Sequence, residues 1–354
     1  MNIEFRQHFK DQRILVTGGT GSIGREIVRQ LLEFSPKVIR ILSRNENNQF
    51  NEYQKLGHLS NIRFLIGDVR DKERLRRACE DIDIVFHTAA LKHVPFCEYN
   101  PFEAVKTNVI GTQNLIEVAL EVGAKKVIAI NTDKSVAPIN TMGATKLLAE
   151  KLIIAAQEYK GESHTSFCSV RFGNVIGSDG SVLNTFITQA QQGGPLTVTD
   201  PGMCRFVMTI PEAVGLVLRA SILSKGGEVF ILKMPALKVI DLAEVIIQEI
   251  APHENVKIAI TRPRPGEKLH EELVTREESP YTIEHDGMLI LRPLRKNKQV
   301  VDSSRKVYST ETANLMSKAE IRNFLKDRKL IPTFSPELAP ISEKDKKPKI
   351  TIYN

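Results

Sequence analysis

The stretch from Arg13 to Phe34 does most to narrow the folds open to this chain. A short apolar run, Ile14, Leu15 and Val16, ends at Thr17 and leads into Gly18-Gly19-Thr20-Gly21-Ser22-Ile23-Gly24. From Arg25 to Phe34 apolar residues then recur at helical spacing. Strand, glycine-rich turn and helix in this order are the opening of a dinucleotide-binding βαβ unit. Gly18, Gly21 and Gly24 take the three glycine positions, in a spacing slightly wider than the strict pattern. The first permits the tight turn, the second lets the backbone approach a pyrophosphate, and the third allows the helix to pack closely. The diphosphate would rest on amides at the helix N-terminus, with Thr20, Ser22 and Ile23 as further contacts from the same loop.

Strand-like runs recur at Val38 to Leu42, Arg63 to Ile66, Ile84 to Thr88, Lys126 to Ile130 and Phe167 to Arg171, with helical stretches between them at Arg74 to Glu80 and Thr107 to Val122. This alternation predicts an α/β fold, a Rossmann-type doubly wound parallel sheet covered on both faces. The rhythm breaks near Gly177, where Gly, Pro, Ser and Thr accumulate up to Met208 around one helix from Val182 to Gln192. The expected organisation is a Rossmann domain over residues 1–176, with its core near 10–176. A smaller C-terminal substrate lobe over 177–333, returning in part to the sheet, and a polar tail over 334–354 complete it. Helices are expected at Ile240 to Ile250 and Lys318 to Asp327 in the second part.

Composition excludes several classes. With 42% hydrophobic and 26% charged residues, the 354-residue chain reads as an ordinary globular protein. Its net charge of +7 is spread among 42 acidic residues, which argues against nucleic acid and suits a ligand carrying phosphates. The four cysteines are widely separated with no CxxC pair, so neither a disulfide framework nor a metal site is expected. No run approaches the roughly 18 apolar residues of a membrane span, so no membrane insertion and a cytoplasmic location are expected.

After the second strand the chain reads Ser43-Arg44-Asn45-Glu46. An NAD binder often holds the ribose hydroxyls with an acidic residue here, whereas Arg44 is suited to a 2′-phosphate. That favours NADP, with Glu46 keeping NAD open. Asp68 and Val69, past the third strand, stand where an adenine would lie, and Ala89 and Ala90, past the fourth, would line the cofactor.

Thr17 to Gly24, Gly67-Asp68-Val69-Arg70, Ala89 to Pro95, Asn131-Thr132-Asp133-Lys134 and Met142-Gly143-Ala144-Thr145-Lys146 together resemble the extended short-chain dehydrogenase/reductases. With Arg171 to Val175, Asp200 to Phe206 and Arg264-Pro265-Gly266-Glu267-Lys268 added, the chain resembles the bacterial UDP-N-acetylglucosamine 4,6-dehydratases of surface-polysaccharide and flagellin-glycan pathways. One position departs from the superfamily, which carries a Tyr four residues before its Lys where this chain has Met142 before Lys146. Methionine has no ionisable proton, so residue 142 cannot deprotonate a sugar hydroxyl. A branch of these dehydratases shares that Met, and the sequence is similar to that branch.

The resemblance implies a tightly bound, recycled NADP or NAD, a UDP-N-acetylglucosamine substrate and homo-oligomers, dimeric or hexameric. It also implies oxidation at sugar carbon 4, loss of water across carbons 5 and 6, and hydride return to carbon 6. Lys134 is then the base at carbon 5 and Asp133 the acid toward the carbon-6 hydroxyl. Lys134 must be neutral, which calls for a pKa lowered by burial or a nearby cation such as Lys146. With Met142 in place of tyrosine, the 4-hydroxyl proton can pass to Asp133, to Thr132, or through water and Lys146. Lys146 would also hold the nicotinamide ribose, and Asn108 joins the cofactor set. Lys92, His93, Asn174, Ser181, Val182 and Thr199 are expected at the substrate, with Arg205 and Arg264 offering forked donors to its diphosphate and Glu267 accepting from the uridine ribose. A UDP-sugar 4-epimerase needs no elimination acid, which Asp133-Lys134 argues against. A non-catalytic NAD(P)-binding sensor or scaffold is the reading Met142 keeps alive.

Overall fold

The computed structural model describes residues 2–293 and 307–331. Its main sheet opens with six parallel strands, β1 (Arg13–Thr17), β2 (Val38–Ser43), β3 (Ile62–Ile66), β4 (Ile84–His87), β5 (Lys126–Thr132) and β6 (Ser166–Phe172). Between and around them run α1 (Asn2–Phe9), α2 (Ser22–Leu32), α3 (Glu46–Leu56), α4 (Lys72–Cys79), α5 (Val94–Tyr99), α6 (Pro101–Ala104), α7 (Gly111–Val122) and α8 (Thr141–Tyr159). Successive strand residues face opposite sides. Ile14 and Val16 therefore join one core with Phe9, Ile27, Leu31 and Val217, while Leu15 joins another with Leu75, Leu115, Ile116 and Ile153. A sheet buried on both faces is what near-continuous apolar strands require.

The remainder of the chain adds β7 (Asn174–Ile176), α9 (Val182–Gln191), β8 (Leu196–Val198), β9 (Cys204–Thr209), α10 (Ile210–Leu223), β10 (Val229–Leu232), β11 (Ala236–Lys238) and α11 (Val239–Ile250). Then come β12 (Ile258–Ile260), β13 (Glu272–Val274), β14 (Thr282–His285), β15 (Met288–Leu291), β16 (Tyr308–Ser309) and α12 (Lys318–Asp327). The main sheet runs β3-β2-β1-β4-β5-β6-β10-β15-β14; β10 extends it in parallel and the last two strands are antiparallel. A third core of Phe186, Leu242, Ile246 and Phe324 gathers α9, α11 and α12 around β8 and β9. From β1 the chain winds outward through β2 and β3, then crosses back to β4 on the other side of β1. At that reversal the loops leaving β1 and β4 diverge, which opens a crevice at the carboxyl edge of the sheet.

One element goes beyond the sequence reading and another departs from it. The polar N-terminus folds as α1 because Phe5 and Phe9 are buried, with ring centroids 5.4 and 5.9 Å from Phe34. The helix expected to run unbroken from Thr107 to Val122 begins instead as a π-helical turn, Val105–Ile110, a local widening that often marks functional sites. Asn108 lies in it. Its Oδ1 accepts from Leu91 N at 2.8 Å, and its Nδ2 donates to Leu91 O and to Thr145 Oγ1, both at 3.0 Å, which ties the loop after β4 to α8. Among the described residues no helix is long and apolar enough to cross a membrane. The polar tail read over 334–354 lies outside the described residues.

Phe9 is fully buried, so Phe9→Ala should lower stability by about 3–5 kcal/mol, read as an earlier midpoint in urea unfolding. An unchanged midpoint would detach α1 from the core.

Candidate active site

The turn after β1 brings the backbone of two strands and a helix within touching distance. Gly18 has φ +67, and a Cβ there would lie 2.7 Å from Ala89 N. At Gly24, in the first turn of α2, a Cβ would lie 2.5 Å from Gly18 O. Side chains at either point would push the helix off the strand and close the space above the turn. That space is a cleft of about 420 Å³ lined by Gly18, Thr20, Gly21, Ser22, Ser43, Arg44, Asp68, Val69, Ala89, Ala90 and Lys92 among others. Of the expected cofactor residues, Ile23, Gly24, Asn108 and Lys146 are absent from its wall. Gly24 and Asn108 act beneath it through packing and hydrogen bonds.

Arg44 stands at the rim, 3.6 Å from Asp68, and Glu46 is exposed on α3 away from the lining. Burial works to raise the Asp68 carboxyl, but hydrogen bonds from Arg70 and the charge of Arg44 hold it below the usual range. Across the mouth lies Asp179, which sequence reasoning did not single out. Its carboxylate accepts from Ser22 Oγ at 2.8 Å and from Arg25 at 3.0 Å, and its carbonyl accepts from Lys92 Nζ at 3.1 Å. The loop after β7 is thereby pinned to the first turn of α2.

A second cleft, of about 340 Å³, meets the first at Lys92 and His93. Its wall gathers Asn174, Val182, Thr199, Arg205, Arg264 and Glu267 together with Lys134. Ser181 lines an adjoining hollow. Residues dispersed from 92 to 267 in the sequence thus share one surface. Arg205 departs from its expected part. It is buried, its Nη1 donates to the carbonyls of Cys204 at 2.7 Å and Leu269 at 3.3 Å, and its Nε faces Glu271 at 4.0 Å, which leaves it a poorer fork for a diphosphate than exposed Arg264.

At the end of β5 a 3₁₀ turn, Asp133–Ser135, sets the ionisable groups. Thr132 Oγ1 donates to Asp133 Oδ1 at 2.8 Å. Lys134 Nζ donates to Asp133 Oδ1 and Asn174 Oδ1, both at 3.0 Å, and faces Glu271 Oε1 at 3.5 Å. Asp133 is fully buried and lies off the wall of either cleft, whereas Lys134 and Glu271 are on it. Asp133 Oδ2 and Glu271 Oε2 are buried without a partner.

The lowered Lys134 pKa required by the resemblance is not what this arrangement produces. Burial pulls it down, but the charges of Asp133 and Glu271 outweigh burial and the opposing Arg205, so the amine is held above its usual value. The depressed amine is Lys146, brought down to about 8 by burial against the pull of Glu150; its Nζ donates to Ile130 O at 2.5 Å. Met142 is buried among Leu91, Val94, Cys97 and Ala104 and lines neither cleft.

Nothing in the local sequence marks Glu271, because Glu271-Glu272 after His270 reads as a solvated charge pair. The one available signal was its proximity to the Arg264-to-Lys268 motif.

These two clefts on a doubly wound sheet are the architecture of Rossmann-fold nucleotide-sugar dehydratases and epimerases. The chain belongs to the polysaccharide biosynthesis protein family, whose model matches residues 14–293. A Methanocaldococcus jannaschii protein described as an uncharacterized membrane protein is 53% identical over 90% of this chain and 96% of its own length. An inverting UDP-N-acetylglucosamine 4,6-dehydratase of Campylobacter jejuni is 43% identical over 80% of this chain and 84% of its own. A Rickettsia typhi UDP-glucose 4-epimerase is 39% identical over 90% and 96%. The solved structure of Pen from Bacillus thuringiensis superposes with a TM-score of 0.85 at 46% identity, covering 90% of this chain and 98% of Pen. A Streptomyces venezuelae dTDP-glucose 4,6-dehydratase with NAD and TYD bound shares the fold at a TM-score of 0.66 and 23% identity, over 73% of this chain and 86% of that one.

Asp179 places a negative charge beside the turn expected to hold phosphates. Asp179→Ala should tighten binding of ADP about fivefold, the equivalent of a close charge pair worth about 1 kcal/mol in water, with the gain shrinking as salt is added. Titration calorimetry at two ionic strengths checks it, and an unchanged affinity would place the anion elsewhere.

Proposed function

We propose that this protein is a UDP-N-acetylglucosamine 4,6-dehydratase, forming a UDP-4-keto-6-deoxy-N-acetylhexosamine for surface-glycan synthesis. The observation that carries the reading is the Thr132-Asp133-Lys134 run at the carboxyl end of β5, whose carboxylate is fully buried and whose amine faces the second cleft.

The backbone cradle above Gly18, which a Cβ would fill, fits a dinucleotide. Arg44 on its rim and Glu46 away from it favour NADP over NAD. When bound, the cofactor supplies the acceptor for hydride from sugar carbon 4 and the donor that returns it to carbon 6. Everything else falls to the chain. Arg264 and Glu267 on the wall of the second cleft suit the diphosphate and the uridine ribose. Asp133 lies behind the cleft wall beside Lys134, and its Oδ2 is buried without a donor, a desolvation cost that uptake of a proton relieves.

Because Met142 has no proton to exchange, the 4-hydroxyl proton needs another route. The hydrogen bond from Thr132 to Asp133 supports passage through Thr132 onto Asp133. The protonated carboxyl then donates to the departing carbon-6 hydroxyl while Lys134, once neutral, takes the proton from carbon 5. One proton leaves the 4-hydroxyl and one enters the water released, and the proton taken from carbon 5 is replaced there as hydride returns to carbon 6, so the pair is restored each turn.

The epimerase described for a relative at 39% identity is the second reading. It shares the first oxidation and uses no elimination acid. Incubation with UDP-N-acetylglucosamine and catalytic NADP⁺ or NAD⁺ in heavy water separates them. The product should be lighter by one water and carry deuterium at carbon 5, with the rate reduced about 10²- to 10⁴-fold in Lys134→Ala. Unchanged mass with inverted carbon 4 would establish the epimerase, and cofactor binding without turnover would favour a sensor.

A further inference from the structure

Lys134 can take a proton from carbon 5 only after losing one, and the site surrounds its ammonium with acceptors. Three oxygens face Nζ: Asp133 Oδ1 and Asn174 Oδ1 at 3.0 Å, and Glu271 Oε1 at 3.5 Å. The amide of Asn174 is no base. Asp133 is occupied with the proton bound for the carbon-6 hydroxyl. That leaves Glu271, a residue to which neither the motifs nor the resemblance gives a part.

Its setting suits a proton carrier. The backbone of Glu271 is held on both sides by Thr310, whose Oγ1 accepts from Glu271 N at 3.0 Å and whose N donates to Glu271 O at 2.9 Å. This anchors the side chain beside the short pairing of β13 with β16. The carboxylate is almost without exposure, at 2%, yet lies on the wall of the substrate cleft. Its Oε2 has no partner, so one oxygen is free to carry hydrogen.

The charged groups facing it are Lys134 and Asp133 from the turn after β5, Arg205 from β9, and Lys268 in its own segment. Burial raises the carboxyl above the ordinary range and Asp133 adds to the effect, against the pull of the three cations.

We infer that Glu271 is the proton acceptor for Lys134, a positioning residue that turns an ammonium into the base of the elimination. A sugar filling the cleft excludes water, which penalises the separated charges of the pair relative to its neutral form. The proton then moves from Nζ to Glu271, leaving an uncharged amine and an uncharged carboxylic acid. The amine takes the carbon-5 proton and becomes an ammonium again. Whichever donor restores the proton at carbon 5, one proton leaves the pair for each that entered, and it ends as ammonium and carboxylate.

This inference rests on the dehydratase reading, and the test keeps the two apart. Wild type, E271Q and E271D are compared with UDP-N-acetylglucosamine across neutral and alkaline pH, following nicotinamide reduction, loss of water and deuterium at carbon 5. Glutamine cannot accept the proton, so in E271Q the amine must release it to solvent. E271Q should still reduce the nicotinamide on mixing with substrate. Its water loss at neutral pH should fall about a hundredfold, within the span general bases contribute, and recover about tenfold per pH unit where the wild-type profile is flat. Aspartate should restore the flat profile at a lower rate.

An E271Q profile parallel to wild type, at equal or uniformly reduced rate, overturns the role of Glu271. So does loss of nicotinamide reduction together with water loss in both variants, which marks a structural residue. If wild type itself releases no water, it is the dehydratase reading that fails.

Discussion

Everything functional in this molecule depends on a sheet whose strands are apolar on both faces and therefore covered on both faces. Helices α2 and α10 close one side and α4, α7 and α8 the other, so the faces offer no room for a ligand. Access is left to the edge where the strands end, and the reversal of strand order between β1 and β4 opens that edge at one place. The glycine turn after β1, the small residues after β4 and the ionisable run after β5 all emerge there. Each sits one loop away from a buried strand, which gives the precision a reacting group needs.

The second constraint is how charge is kept inside. Arg171 on β6 is buried and bonded to Glu150 of α8 and Glu278, and Glu150 also accepts from Asn131 of β5 at 2.6 Å. Such a network adds little net stability over apolar packing, but breaking it strands a charge. It ties β5, β6 and α8 together directly behind Lys134 and Lys146. The consequence is an unequal pair of lysines. Lys146 has one carboxylate in its surroundings and is depressed by burial, whereas Lys134 has two against it and stays protonated at rest. On the proposed dehydratase reading an amine that serves as base has to be unloaded locally, and Glu271 is the carboxylate we infer for that, 3.5 Å away.

Strands and turns built from local pattern were legible from the chain. The apolar runs that became β1 to β6 fell within two residues of their expected ends, and α12 matched the stretch from Lys318 to Asp327. Where contacts distant in sequence decide, local pattern ran out. Phe5 and Phe9 look like isolated apolar residues in a polar start, and only Phe34 makes them a helix face. The π-helical turn at Val105–Ile110 is held by Asn108 reaching Leu91 and Thr145, which no periodicity reports. Arg205, expected as a forked donor to a diphosphate, is buried, with Nη1 on two carbonyls and Nε facing Glu271.

Residue chemistry and short-range order were settled by the sequence alone. A strand, three glycines and a helix can only make a close-approach turn, Met142 cannot exchange a proton, and Asp133-Lys134 must stand together wherever β5 ends. Protonation and proximity were settled by the tertiary structure, because burial and through-space charge depend on which distant segments meet. It set Glu271 3.5 Å from Lys134 across 137 positions of sequence (271 − 134). It also drew Asp179 over Ser22 and Arg25, and sealed Met142 in apolar packing instead of leaving it on a cleft wall.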